Sequence, residues 1–269
     1  MRLRQYTLVV VLSILTSFQA FAETKEENRI ANATDVVSQL LRIPEQSVPP
    51  ALLSRAYGVA VLPNVVKVGF GLGARRGKGL LVVRQDDGGW SNPTFVTLTG
   101  GSVGFQVGAQ STDIILVFKS RKSVDGITGG KLTLGADASL AAGPVGRHTS
   151  AATDLKFKAE VYSYARSRGL FLGIALEGAG VTMDRKANAA FYGAANVTPE
   201  QIFASGGNAA PQSANNFVQM LTAQTRRLPA GPGTSAQSRD PARSELQQPR
   251  EQRESEVRTY GMNNSDPYE

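Results

Sequence analysis

The chain has 269 residues, a formal net charge of +7 and no cysteine. The absence of thiols excludes disulfides, thiolate metal sites and a cysteine nucleophile. A single histidine, His148, leaves little material for triad or metal chemistry.

The first 22 residues read as a secretory signal. Arg2 and Arg4 form a basic start, Leu8 to Leu15 an apolar stretch, and Ala20-Phe21-Ala22 a small-residue cleavage site. The apolar run is shorter than the roughly 20 residues a membrane span needs. The expected destination is therefore extracytoplasmic, most simply a bacterial periplasm. From Leu228 to Glu269 the chain is rich in Pro, Gly, Ser, Gln, Arg and Glu and poor in aliphatics. Such a segment is expected to stay a disordered tail, because it buries too little apolar area to offset its ordering entropy. One domain remains between, at 23–227, with a core at about 36–193. The basic excess sits on that body, since the basic signal segment and the acidic tail offset each other.

Within the body, Ile30, Ala33, Val37, Leu40 and Leu41 recur at helical spacing from Asn28 to Ile43, and Pro44 stops the segment. A short helix is expected after Pro49-Pro50. From Tyr57 the period changes to two. Gly58 to Leu62 reads as a strand ended by Pro63-Asn64. Val66, Val68, Phe70 and Leu72 share one face of the next strand, Lys67 and three glycines the other. Arg75-Arg76-Gly77 reads as a turn, Gly79 to Arg84 as a returning strand, and Asp86-Asp87-Gly88-Gly89 as a hairpin connection. Strands are expected at 90–99, 101–109, 113–119, 131–142, 154–164 and 170–177. Helices are expected from Ser120, from Asp184 to Tyr192, from Thr198-Pro199-Glu200, and from Gln212 to Arg226. The order implies an α+β fold: N-terminal helices, a curved, mostly antiparallel glycine-rich sheet, then C-terminal helices.

No catalytic, cofactor or metal site is expected. In Gly69-Phe70-Gly71-Leu72-Gly73 the dinucleotide fingerprint fails at Arg76 and runs into a strand instead of a helix. Gly77-Lys78 is followed by Gly79, so a phosphate loop fails too. A hydrolase built on His148 or a distant carboxylate pair is the least favoured reading.

The basic clusters offer more. Arg75, Arg76 and Lys78, and Arg166 and Arg168, fall at expected turns, as do Lys119 to Lys122 and Arg185-Lys186. Gathered on one rim, the first two clusters would contact anionic headgroups; the plainer reading is that turns are solvated and therefore charged. The apolar stripe Ile30, Val37, Leu40 and Leu41 could face a membrane interface, although such a stripe more often packs on its own domain. An extracytoplasmic setting disfavours nucleic acid as the anionic partner.

Several segments together resemble the SYLF domain. They are Ala56 to Pro63, Val68 to Gly73, Trp90-Ser91-Asn92-Pro93, Gly104 to Gly108, Ala142 to Arg147, and Tyr162-Ser163-Tyr164 through Gly173. The similarity covers most of the body. It implies a lipid-binding module without catalytic residues, with phosphoinositide preference in eukaryotic members and actin binding in fungal ones. For this chain the expected partner is an anionic lipid or membrane surface, with a protein-interaction or envelope-structural role as the alternative.

Overall fold

A computed structural model describes residues 24–40, 48–144, 158–167, 170–205 and 210–226. The expected signal segment, the expected tail, Leu41, His148 and Arg168 lie outside the described residues. Helix α1 (Lys25–Leu40) opens the described chain, with a second short helix, α2 (Pro50–Ser54), carrying proline in its first turn.

Two very long strands follow. β1 (Gly58–Val83) and β2 (Thr94–Phe118) pair antiparallel along nearly their whole length, from Gly58 opposite Phe118 to Leu81 opposite Thr94. The stops expected at Pro63-Asn64 and at Arg75-Arg76-Gly77 are absent. At the first, a register shift between Leu62 and Val65 absorbs the irregularity. Asn64 takes a left-handed φ of 51°, and its N–H donates to Asp113 Oδ1 at 2.9 Å. At the second, the strand continues without interruption. The connection at 84–93 is the expected hairpin, closed by the Gln85 N–H on the Gly89 carbonyl, with Gly88 at φ 78°.

The remaining elements are α3 (Arg121–Thr128), β3 (Lys131–Thr133), β4 (Leu140–Ala142), β5 (Val161–Ser167), β6 (Leu170–Gly173), β7 (Gly180–Met183), α4 (Arg185–Tyr192), α5 (Pro199–Ala204) and α6 (Gln212–Arg226). The C-terminal end of β2 pairs with β5, from Asp113 to Phe118, and its N-terminal part with β7, from Val96 to Thr99. Strand order is β3-β7-β2-β5-β4, with β1 beside β2 and β6 beside β5; among these strand pairs the β4–β5 pair is parallel and the rest antiparallel. The fold is thus the expected α+β arrangement around a curled sheet.

The curl brings the start of β1 against its own end. The Arg84 N–H donates to the Tyr57 carbonyl at 2.7 Å. A Cβ on Gly79 would press into the Val61–Leu62 backbone, 2.7 Å from Leu62 Cα. Only glycine permits this backbone-on-backbone crossing. Each sheet face then carries its own core. Val61, Leu80, Phe95, Ile115 and Tyr164 pack under α1 and α6. Leu81, Leu98, Leu116, Phe118 and Val181 pack with Ile127 of α3.

Candidate functional site at one end of the sheet

The predicted basic rim divides. Residues Arg75, Arg76 and Lys78 are successive positions on β1, and alternation sends Arg75 to one face and Arg76 and Lys78 to the other. Lys78 is engaged: its Nζ donates to Asp184 Oδ2 at 2.9 Å. The same carboxylate accepts from Arg29 of α1 at 3.2 Å, and its Oδ1 accepts the Ala187 N–H as the cap of α4. Burial alone would raise the Asp184 pKa, but these hydrogen bonds and the two cations hold it below the usual carboxylate value.

Arg166 is engaged as well. Its Nε donates to Asp113 Oδ2 at 2.7 Å, and its guanidinium also reaches Gln39 and Asp35 of α1. With both side chains largely buried, this is an internal tie between sheet and helix. Two of the five proposed headgroup residues are therefore structural ion partners, for a reason no local pattern shows: their carboxylates lie 106 and 53 positions away.

The apolar stripe of α1 is occupied too. Ile30, Val37 and Leu40 are 1%, 1% and 3% exposed and belong to the core under the sheet. They pack on the domain, and as placed here they do not face a bilayer.

What remains open lies elsewhere on the sheet. Among the described residues, four large hydrophobic side chains are exposed: Val66 (44%), Val68 (47%), Leu170 (45%) and Leu172 (54%). All four lie close to the row where Asp113 faces Arg166. Val66 and Val68 sit opposite Ser111 and Ala109 on the ribbon leaving the sheet, and Leu170 and Leu172 sit opposite Ser167 and Ala165 on β6. By register, the valines project from one face of the sheet and the leucines from the other.

A cleft of about 250 Å³ opens on the leucine face. Lys67, Gln110 and Arg75 line it with Val65, Ile114 and Ile174. Lys67 and Gln110 are register partners. Lys67 has no ion-pair partner among the described residues. Arg75 Nη1 donates to the Ala175 carbonyl at 3.4 Å. Burial lowers the Arg75 pKa, and the nearby Glu177 carboxylate opposes that shift. Arg76, exposed on the opposite face, lies further along the same ribbon.

Sequence reasoning missed Lys67, Gln110 and the two leucines as site residues. The usable signal was there for the leucines: Leu170-Phe171-Leu172 alternates, and only Phe171 goes inward, 3% exposed. Among the described residues, no three His, Cys, Asp or Glu side chains gather as metal ligands, and no helix is long and apolar enough to cross a membrane.

Comparison with known proteins adds a second line. A family model described as "Ysc84: Las17-binding protein actin regulator" matches residues 99–224. The chain is 34% identical over 185 residues to SH3 domain-containing YSC84-like protein 1 of Xenopus laevis, covering 68% of this chain and 55% of that protein. It is 34% identical over 203 residues to Protein YSC84 of Saccharomyces cerevisiae, covering 74% of this chain and 42% of that one. The human YSC84-like protein 1 is 36% identical over 150 residues, covering 55% of this chain and 44% of that protein. The chain thus spans about half the length of the curated relatives it matches.

Proposed function

Because the chain belongs to the Ysc84, or SYLF, family, we propose that it is a non-enzymatic module that binds anionic membrane surfaces end-on. The observation that carries this reading is the gathering, at one end of the sheet and near Lys67, Arg75 and Arg76, of the four large hydrophobics that are exposed among the described residues. Solvated leucine is common singly; exposed aliphatic pairs on both faces of one sheet end, flanked by cations, suit an interface that the end enters.

Placed end-on, the sheet would sink Val66 and Val68 from one face and Leu170 and Leu172 from the other. Each aliphatic side chain moved out of water contributes about 2 kcal/mol at full burial. Each lysine or arginine near an anionic surface adds about 1 kcal/mol. Together these terms suffice for reversible attachment. On this reading the segment at 1–22 directs the chain across an inner membrane, and the surface it meets is periplasmic.

Cosedimentation with anionic and neutral vesicles at two ionic strengths tests the proposal. Pelleting should be strong only with anionic vesicles at low salt, because exposed charge pairs are screened. Negligible pelleting with both would refute it.

A protein partner is the second reading, favoured by the family description, which names Las17 binding and actin regulation. It predicts a defined crosslinked partner that survives detergent extraction of membranes.

A further inference from the structure

The cleft between the β1–β2 ribbon and β5–β6 carries two of the cations that flank the exposed hydrophobics, Lys67 and Arg75, and its lining has a chemistry of its own. One wall is cationic and polar: Lys67, with Gln110 directly across the ladder, and Arg75. The floor is apolar: Val65, Ile114 and Ile174. Both cations retain donor capacity. Among the described residues Lys67 has no ion pair, and Arg75 donates through Nη1 to the Ala175 carbonyl, leaving Nε and Nη2 available. The Glu177 carboxylate acts on Arg75 as a through-space charge, without an ion pair between them among the described residues.

Size narrows the occupant. A dry cavity of about 150 Å³ holds a benzene-sized ligand, so a cleft of about 250 Å³ accommodates one short alkyl chain but not both chains of a diacyl lipid. A ligand that satisfies both walls needs an anionic head with two or more acceptor oxygens and a single apolar chain. We propose that this cleft binds a monomeric, single-chain amphiphilic carboxylate. The carboxylate lies between Lys67 Nζ and the Arg75 guanidinium, where the bonds are charge-assisted. The chain lies along Val65, Ile114 and Ile174 toward the exposed Leu172. The occupant is a free solute, so this inference does not depend on the membrane reading.

Isothermal titration of the full chain with decanoate, kept below its micellar concentration, tests it. Decanol, decyltrimethylammonium and inorganic phosphate are run in parallel. Decanoate should bind saturably at one site, with decanol and decyltrimethylammonium about tenfold weaker or more and phosphate silent. Lys67→Glu and Arg75→Gln should each weaken decanoate several-fold at an unchanged melting temperature. Ala175→Trp, which blocks the mouth from an exposed position, should abolish binding, and it serves as the decisive variant if Arg75→Gln unfolds. Equal affinity for decanol and decanoate, or full binding by Lys67→Glu and Ala175→Trp, would overturn the proposal. Saturable decanoate binding by a chain that ignores vesicles would sink the membrane reading and leave this one standing.

Discussion

Arg166 and Asp113 face each other across the β2–β5 ladder, with Arg166 Nε donating to Asp113 Oδ2 at 2.7 Å. The pair does two jobs at once. Asp113 also accepts the N–H of Asn64, so it holds the left-handed residue that lets β1 continue past Pro63. Arg166 extends the tie to Gln39 and Asp35 on α1. Removing one partner of a largely buried pair strands the other. Arg166→Ala should therefore cost about 3 kcal/mol, read as a lower denaturant midpoint. Vesicle binding per folded molecule should not change, since this arginine is turned inward.

Asp184 couples stability to pH. Its folded pKa lies below the unfolded value of about 3.9 because Lys78, the Ala187 N–H and Arg29 outweigh the burial cost. The unfolded chain then binds more protons than the folded one through acid pH. The contribution is fully present above about pH 5 and is lost as pH falls through the folded value. Asp184→Asn should lower the melting temperature at pH 7, and the gap to the parent should close below about pH 4. A gap that stays constant across that range would show that the ion cluster contributes nothing.

The crossing of β1 over itself is a test of glycine. In Gly79→Ala the new methyl meets the Val61–Leu62 backbone, which has no rotamer to yield. The expected loss is about 3 kcal/mol, the upper range for overpacking. Gly101→Ala, with nothing within 4 Å of the added methyl, is the control and should melt within a degree or two of the parent.

The helical layer can be probed from α6. Phe217 is fully buried among the residues under the sheet. Phe217→Ala should cost about 4 kcal/mol, measurable by urea unfolding. A cost below about 1 kcal/mol would mean that α6 does not seal that core.

Local chemistry was legible where it is local. Ser120 accepts the Ser123 N–H, Asp184 accepts that of Ala187, and Thr198 with Gln201 forms a reciprocal capping box, so these helix starts could be read from a few residues. Alternating valines announced β1, but its continuity could not be read. Asn64 continues the strand only because Asp113, 49 positions on, supplies an acceptor. Gly77 reads as a turn residue and Gly79 as a strand start, and both act as crossing residues. β7 went unread, since Gly180-Val181-Thr182-Met183 is short and becomes a strand through pairing on both sides. The basic rim divides for the same physical reason. Charge at an expected turn predicts solvation, while Lys78 and Arg166 find carboxylates that only the tertiary fold brings near. What stays open is decided by the complement, the side chains for which the fold supplies no partner.

The most direct test of end-on attachment is vesicle cosedimentation of Leu170→Asp/Leu172→Asp beside the parent chain, on anionic and neutral vesicles at low salt. Both leucines are exposed, so the variant should fold and melt close to the parent. The parent should pellet with anionic vesicles alone, and the double variant should lose that binding at least tenfold, about 1.4 kcal/mol. A double variant that pellets with anionic vesicles as fully as the parent would contradict the proposal that this end of the sheet meets the membrane.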